Sequence, residues 1–304
     1  MKLLLLGANG QVGIESRRSL ATLGEVVCAT RHGKLADGAS CETIDFDAPD
    51  SLPALVERIV PDVVVNAAAY TAVDKAEDER DAAFRANAEA PGKLAEACAR
   101  RGALLVHYST DYVFDGRGTR PYREDDATVP LGVYGESKLA GEAAIRAAGG
   151  RHLIFRTAWV YASHGKNFLR TMLRLAGERD ELRVVADQAG TPTPAALIAD
   201  VTAQVLALSL AKSPAQSGIW HLTANGETDW HGFAEAIFDG AVQRGLLATA
   251  PKVLPISTAD YPTPARRPAY SRLDTSKLQR DFGITLPDWR DGLARVLDEI
   301  RVSS

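Results

Sequence analysis

A glycine-rich loop at residues 7–13 sets the tightest constraint on what this chain can fold into. Gly7-Ala8-Asn9-Gly10-Gln11-Val12-Gly13 follows the apolar run Leu3–Leu6 directly and opens a helix-period stretch, Gln11–Leu23. In a strand–turn–helix unit of this kind Gly7 allows the tight turn and Gly10 lets the backbone approach a pyrophosphate. Gly13 lets helix and sheet close, and the helix N–H groups face the anion. The spacing is GxxGxxG rather than GxGxxG, so the loop alone is weak; its place after the first strand points to dinucleotide binding.

The rest of the first half continues the alternation. Leu3–Leu6, Glu25–Ala29, Val63–Val65, Leu104–His107 and His152–Phe155 read as short buried strands. Helical patterns fall over Gln11–Leu23, Leu52–Val60, Asp74–Arg101 and Ser137–Ala148, with a break or a new first turn required at Pro91. Unbroken apolar strands alternating with helices predict an α/β doubly wound parallel sheet. The second half is richer in loops, with Pro and Gly clustered at Gly190–Pro194 and Pro251–Pro268. Its last helix is clear, since Trp289, Leu293, Val296, Leu297 and Ile300 share one face. The division expected is a dinucleotide-binding domain, 1–163 with 194–224, and a smaller discontinuous α/β substrate lobe, 164–193 with 225–304.

Composition narrows the partners. Thirty-five Lys and Arg against 39 Asp and Glu leave a net charge of −4, so the global basic field that grips nucleic acid is absent. The run Leu3–Leu6 stops at Gly7, far short of a membrane span or the apolar core of a signal peptide. Cys28, Cys41 and Cys98 are odd in number without CxxC spacing, as expected of thiols in a reducing cytoplasm. The six histidines show no HxxxH or HExxH spacing, and no metal site is read from the residues.

Tyr134-Gly135-Glu136-Ser137-Lys138 puts a phenol and an ammonium four residues apart on one helix face. A nearby Lys charge stabilises phenolate, so the pattern predicts that Lys138 lowers the Tyr134 pKa and fits it for proton transfer. Ser109-Thr110-Asp111 follows a strand that ends at His107-Tyr108, at the carboxyl edge where open α/β sheets bind ligands. A Thr110 hydroxyl there could hold the carbonyl oxygen that Tyr134 protonates. A ribose-binding acid is missing after the second strand, which ends Ala29-Thr30-Arg31-His32. Arg31 could instead pair with a 2′-phosphate, favouring NADPH and leaving NADH open.

These motifs resemble the extended short-chain dehydrogenase/reductases that modify nucleotide sugars, and within them the reductases of dTDP-linked 4-keto-6-deoxysugars. The resemblance is carried by the glycine loop, residues 66–77 (Asn66-Ala67-Ala68-Ala69 onward), Ser109–Gly116, Val133–Lys138, Arg156–Tyr161, Asp187–Thr193 and Arg267–Leu273. It implies a Rossmann-type fold that reduces the C4 ketone of dTDP-4-dehydro-6-deoxy-L-mannose to dTDP-L-rhamnose. By the same resemblance Gly10, Gln11 and Val12 would sit on the cofactor pyrophosphate and Asp45 and Phe46 would flank the adenosine. Ala69, Tyr70 and Thr71, with Tyr108 nearby, would line the ribose and nicotinamide side. Thr110 and Asp111 would touch the sugar and Trp159 the deoxysugar ring. Arg267, beside Arg266, could neutralise the substrate pyrophosphate, and Lys138 would hold both Tyr134 and the nicotinamide ribose. Magnesium is implied by the resemblance only, and monomer and homodimer both stay open. The related sugar-nucleotide dehydratases carry Thr-Asp-Glu where this chain reads Thr110-Asp111-Tyr112, which removes the acid needed for elimination. An epimerase matches less well. A non-catalytic regulator, like the regulatory subunit of methionine adenosyltransferase, is disfavoured by the intact Thr110, Tyr134 and Lys138.

Overall fold

Seven parallel strands build the central sheet of the computed structural model, which describes residues 1–211 and 216–303. In chain order they are β1 (Lys2–Leu6), β2 (Glu25–Thr30), β3 (Glu42–Thr43), β4 (Val63–Asn66), β5 (Leu104–Thr110), β6 (His152–Thr157) and, after a further strand β7 (Glu181–Val185), β8 (Gly218–His221). Their order across the sheet is β8-β6-β5-β4-β1-β2-β3. Leu3, Leu4, Leu5 and Leu6 are all fully buried because both faces are covered. The period of two sorts them. Leu3, Leu5, Val63, Val65, Leu104, Val106 and Phe155 face one core, and Leu4, Leu6, Val64, Leu105 and Ile154 face the other.

The helices follow from the same sorting. On the first face lie α1 (Gln11–Leu20) and the later α6 (Ala195–Leu210), whose Ile198, Val205 and Leu206 join that core. On the second lie α2 (Leu52–Ile59), α3 (Ala90–Arg101) and α4 (Val133–Ala147), through Leu55, Val56, Leu94, Cys98 and Ile145. The helical stretch over Asp74–Arg101, expected to break or restart at Pro91, is also interrupted upstream of it. A 3₁₀ turn at Lys75–Glu77 precedes a short helix at Arg80–Phe84, and a π-turn at Arg85–Glu89 leads into α3. Pro91 cannot donate to the preceding turn, and it sits at the start of α3 just past the widened turn. α4 also begins earlier than its apolar pattern suggested, so Tyr134 lies inside its first turn.

A third core gathers α5 (Phe168–Ala176), α7 (Trp230–Gln243) and α9 (Trp289–Ser303) around Leu169, Phe233, Ile237, Phe238, Trp289, Leu293 and Leu297. Between α7 and α9 run the strand β9 (Lys252–Ile256) and the short helix α8 (Ser276–Phe282). The stretch Pro251–Pro268 was expected to be loop, yet β9 pairs in parallel with β7, Val253 opposite Leu182. Its partner lies some seventy residues upstream, so no local pattern announces the pairing.

Candidate active site

Four neighbouring strands end on one edge. β1, β4, β5 and β6 stop at Leu6, Asn66, Thr110 and Thr157, so the segments that follow them share the carboxyl edge of the sheet. The strand order turns outward in both directions from β1, which is where such sheets form a ligand crevice. Gly7 has φ +76°, and a Cβ there would lie 2.7 Å from the Ala68 nitrogen. A Cβ on Gly13 would overlap the Gly7 carbonyl oxygen. Gly10 differs, since its Cβ would meet only the Gly7 oxygen at 3.3 Å and the Ala67 oxygen at 3.8 Å. Packing therefore demands glycine at 7 and 13, whereas at 10 glycine keeps open the space ahead of α1. The first N–H groups of that helix, at Gln11, Val12 and Gly13, have no acceptor within the helix, and no acid stands in its first turn. That is a fit for a pyrophosphate. The Gln11 side chain accepts from Asn167 Nδ2 at 2.8 Å, and Val12 packs against the first core.

A cleft of about 350 Å³ continues from the loop, walled by Gly7, Arg31, Phe46, Asp47 and residues 68–72, which include Ala69, Tyr70 and Thr71. Asp45 stays out of the wall, its carboxylate accepting from the Asp47 N–H at 2.9 Å. Asp47, which sequence reasoning passed over, takes its place and ion-pairs with Arg31 at 3.2 Å. The Tyr70 hydroxyl donates to Glu79 at 2.6 Å; partial burial and that carboxylate push its pKa up to about 12. Its backbone is clamped by Asn87, which accepts from the Tyr70 N–H at 2.9 Å and donates to its carbonyl at 3.0 Å. The π-turn is what aims Asn87 at this loop and, through Nδ2, at Ser137 Oγ on α4 at 3.0 Å.

Beyond the cleft the structure brings Thr110, Asp111, Tyr134 and Lys138 together. Thr110 caps the turn Asp111–Val113, its Oγ1 accepting from the Tyr112 N–H at 3.2 Å and donating to Asp111 Oδ1 at 2.9 Å. It lies beside the Tyr134 phenol. Asp111 is buried, its Oδ2 has no partner, and burial raises its pKa to about 6. The predicted lowering of Tyr134 is not found. Burial, with the Asp111 charge adding, pushes the phenol upward, and Lys138 makes its contacts elsewhere. Lys138 Nζ donates to the Tyr108 carbonyl at 2.6 Å and lies 3.3 Å from His107 Nε2; burial brings its pKa down to about 8. One turn further along α4, Glu142 forms a buried bidentate ion pair with Arg156 of β6 at 2.7 and 2.9 Å and accepts from Ser109 Oγ at 2.5 Å. That triad fastens α4 to the sheet directly beneath Lys138.

Tyr108 and Arg267 each have partners within the protein. The Tyr108 side chain does not line the cleft: its hydroxyl pairs with Thr202 of α6 at 3.0 Å and its ring packs in the core, so only its carbonyl serves the site. Arg267 is already engaged, donating to Asp74 at 2.7 Å and to the Tyr112 hydroxyl at 3.0 Å. Trp159 sits just past β6 with φ +48°, a strained backbone for a bulky residue and a mark of functional positions. Trp230 of α7 stacks on its ring, centroids 3.6 Å apart and planes 7° from parallel, and Gly190 leaves the room that the indole fills. His107, Asn87 and Trp230 were given no site role from the sequence, and Asn66 only a place in a matching segment; each acts through a contact seventeen or more residues away.

The family described as RmlD substrate binding domain matches residues 1–302. A dTDP-4-dehydrorhamnose reductase of Burkholderia thailandensis is 53% identical, covering 95% of this chain and 96% of that protein. The chain belongs to the dTDP-4-dehydrorhamnose reductase family. The reductase of that name from Escherichia coli is 48% identical, covering 99% and 98% of the two chains. Among solved structures, the reductase-family protein of Clostridium acetobutylicum superposes with a TM-score of 0.88 at 36% identity, covering 99% of this chain and all of that one. That of Bacillus anthracis, in complex with NADP, gives 0.86 at 33%, covering 98% and 99%. Among the described residues no helix is long and apolar enough to cross a membrane. Nor does any group of three or more His, Cys, Asp or Glu among them offer a metal site, so magnesium finds no support.

Proposed function

We propose that this reductase-family chain reduces the C4 ketone of dTDP-4-dehydro-6-deoxy-L-mannose with NADPH, giving dTDP-L-rhamnose. The observation that carries the reading is the convergence of Tyr134, Thr110 and Lys138 on the sheet edge that also holds the glycine loop. Bound there, NADPH supplies the hydride. Tyr134 keeps a phenol proton in place and gives it to the carbonyl oxygen as that oxygen gains charge. Thr110, beside the phenol, orients the same oxygen. The unpartnered Asp111 Oδ2 accepts from a sugar hydroxyl, and the Trp159 face supports the deoxysugar ring. Arg31 at the cleft wall suits a 2′-phosphate, with Asp47 holding it beforehand.

Segments 164–193 and 225–304 form the sugar-nucleotide lobe in this reading, and the bond between Arg267 and Asp74 ties that lobe to the loop after β4. Tyr112 occupies the place of a dehydratase acid, and its ring meets that of Tyr134 edge-on at 5.5 Å, which favours simple reduction over elimination. The direct test follows NADPH absorbance on addition of the keto-sugar nucleotide. Stoichiometric loss with formation of dTDP-L-rhamnose is expected. Tight NADPH binding without turnover would replace the reductase by the regulator.

A further inference from the structure

Behind the reacting groups, a three-member chain of buried hydrogen bonds constrains where protons can be. The Ala68 N–H donates to Asn66 Oδ1 at 3.1 Å, which fixes the orientation of that amide. Its NH₂ therefore faces His107 Nδ1, at 3.1 Å, and can only donate. Nδ1 must present its lone pair. His107 is fully buried, and burial holds its pKa well below the usual value, so the neutral ring carries its one proton on Nε2. That N–H points at Lys138 Nζ, 3.3 Å away. An ammonium would set N–H against N–H, whereas a free amine offers a lone pair to accept from His107 and an N–H to give to the Tyr108 carbonyl.

We infer that in mildly alkaline solution Lys138 is uncharged before the dinucleotide binds, held so by the Asn66–His107 pair, and takes up a proton when it binds. The charged neighbours agree. On its own helix the nearest acid, Glu142, favours the ammonium, but its charge is already matched by Arg156 of β6 and it accepts from Ser109. On the turn after β5, Asp111 is bonded to Thr110, and Tyr134 is a neutral phenol. Among the described residues Lys138 has no ion-pair partner, and burial favours its neutral form. A dinucleotide brings negative phosphates and ribose hydroxyl acceptors, both of which favour ammonium. The Tyr134 phenol, raised while Lys138 is neutral, is lowered once Lys138 is charged. His107 is thus a positioning residue that makes the acid–base pair conditional on a loaded cleft.

The inference rests on the cleft being the NADPH site, and the test separates the two. Calorimetric titration with NADPH in buffers of unlike protonation enthalpy counts protons exchanged on binding. About half a pH unit above the Lys138 midpoint, between roughly half and one proton should be taken up per NADPH. Lys138→Met, titrated at NADPH concentrations that saturate its weakened site, should lose the uptake. His107→Gln can turn its amide oxygen to an ammonium, so it should cut the uptake severalfold. NADPH binding with less than roughly a tenth of a proton exchanged, or native-level uptake in Lys138→Met, would overturn the inference alone. Failure to bind NADPH at all would overturn the cleft assignment and the inference together.

Discussion

Tyr134 carries the one proton that must move, and its environment says when. Its phenol sits against Thr110 and near Asp111 in low-dielectric surroundings that favour the protonated form. Tyr134→Phe should bind NADPH with unchanged affinity and lose about 10²- to 10⁴-fold in kcat, measured by steady-state turnover. Asp111 gives a prediction in stability. Burial raises its pKa to about 6, above its unfolded value, so its contribution is fully present below the unfolded pKa and is lost as pH rises through 6. Asp111→Asn should therefore be more stable relative to the native chain at pH 7 than at pH 4, by on the order of 2–3 kcal/mol, in denaturant melts. Both residues were legible in the sequence, because a hydroxyl and an acid at a strand end and a Tyr–Lys pair at helical spacing are local patterns. His107 was not. As a polar residue inside a buried strand it reads as one more core position, and its meaning comes from Asn66 on the next strand and Lys138 on a helix thirty-one residues on.

At the scale of elements, the site depends on how α1 and α4 seat on the sheet. Gly13→Ala should destabilise the fold, because its methyl would overlap the Gly7 carbonyl. Gly10→Ala should lower the melting midpoint much less than Gly13→Ala while weakening NADPH binding at least tenfold, since its methyl would occupy the space ahead of α1. Equal stability losses in the two variants would contradict the distinction. α4 is fastened by Glu142 and Arg156, both buried. Glu142→Gln leaves an uncompensated guanidinium and should cost about 3–5 kcal/mol in denaturant melts. The sequence showed that these helices exist, since their apolar spacing is regular, but it missed the π-turn at Arg85–Glu89. An extra residue in a turn leaves no trace in a periodic pattern, although Pro91 marked the neighbourhood. That extra residue aims Asn87 at both the Tyr70 backbone and Ser137, a direction an unbroken α-helix would miss by about 100°.

For the molecule as a whole, the Trp159–Trp230 stack joins the sheet edge to α7 of the third core. Trp230→Ala should raise the KM for the sugar nucleotide severalfold with NADPH affinity unchanged; an unaltered KM would remove Trp230 from the platform. The parallel sheet was readable from its apolar runs, whereas the pairing of β7 with β9 was not, because only the assembled chain brings Leu182 and Val253 together. The strand orders also set a schedule for synthesis. The chain passes from β6 in the large sheet to β7 in the small one, back to β8, and out again to β9. Every proposed reacting group from Gly7 to Trp159 has therefore been translated while β6 still lacks its outer neighbour. At roughly 5–20 residues per second, several seconds pass before β8 can close that side. An open strand edge is a template for pairing with another chain, so the nascent protein is most exposed to misassembly after its chemistry is already written.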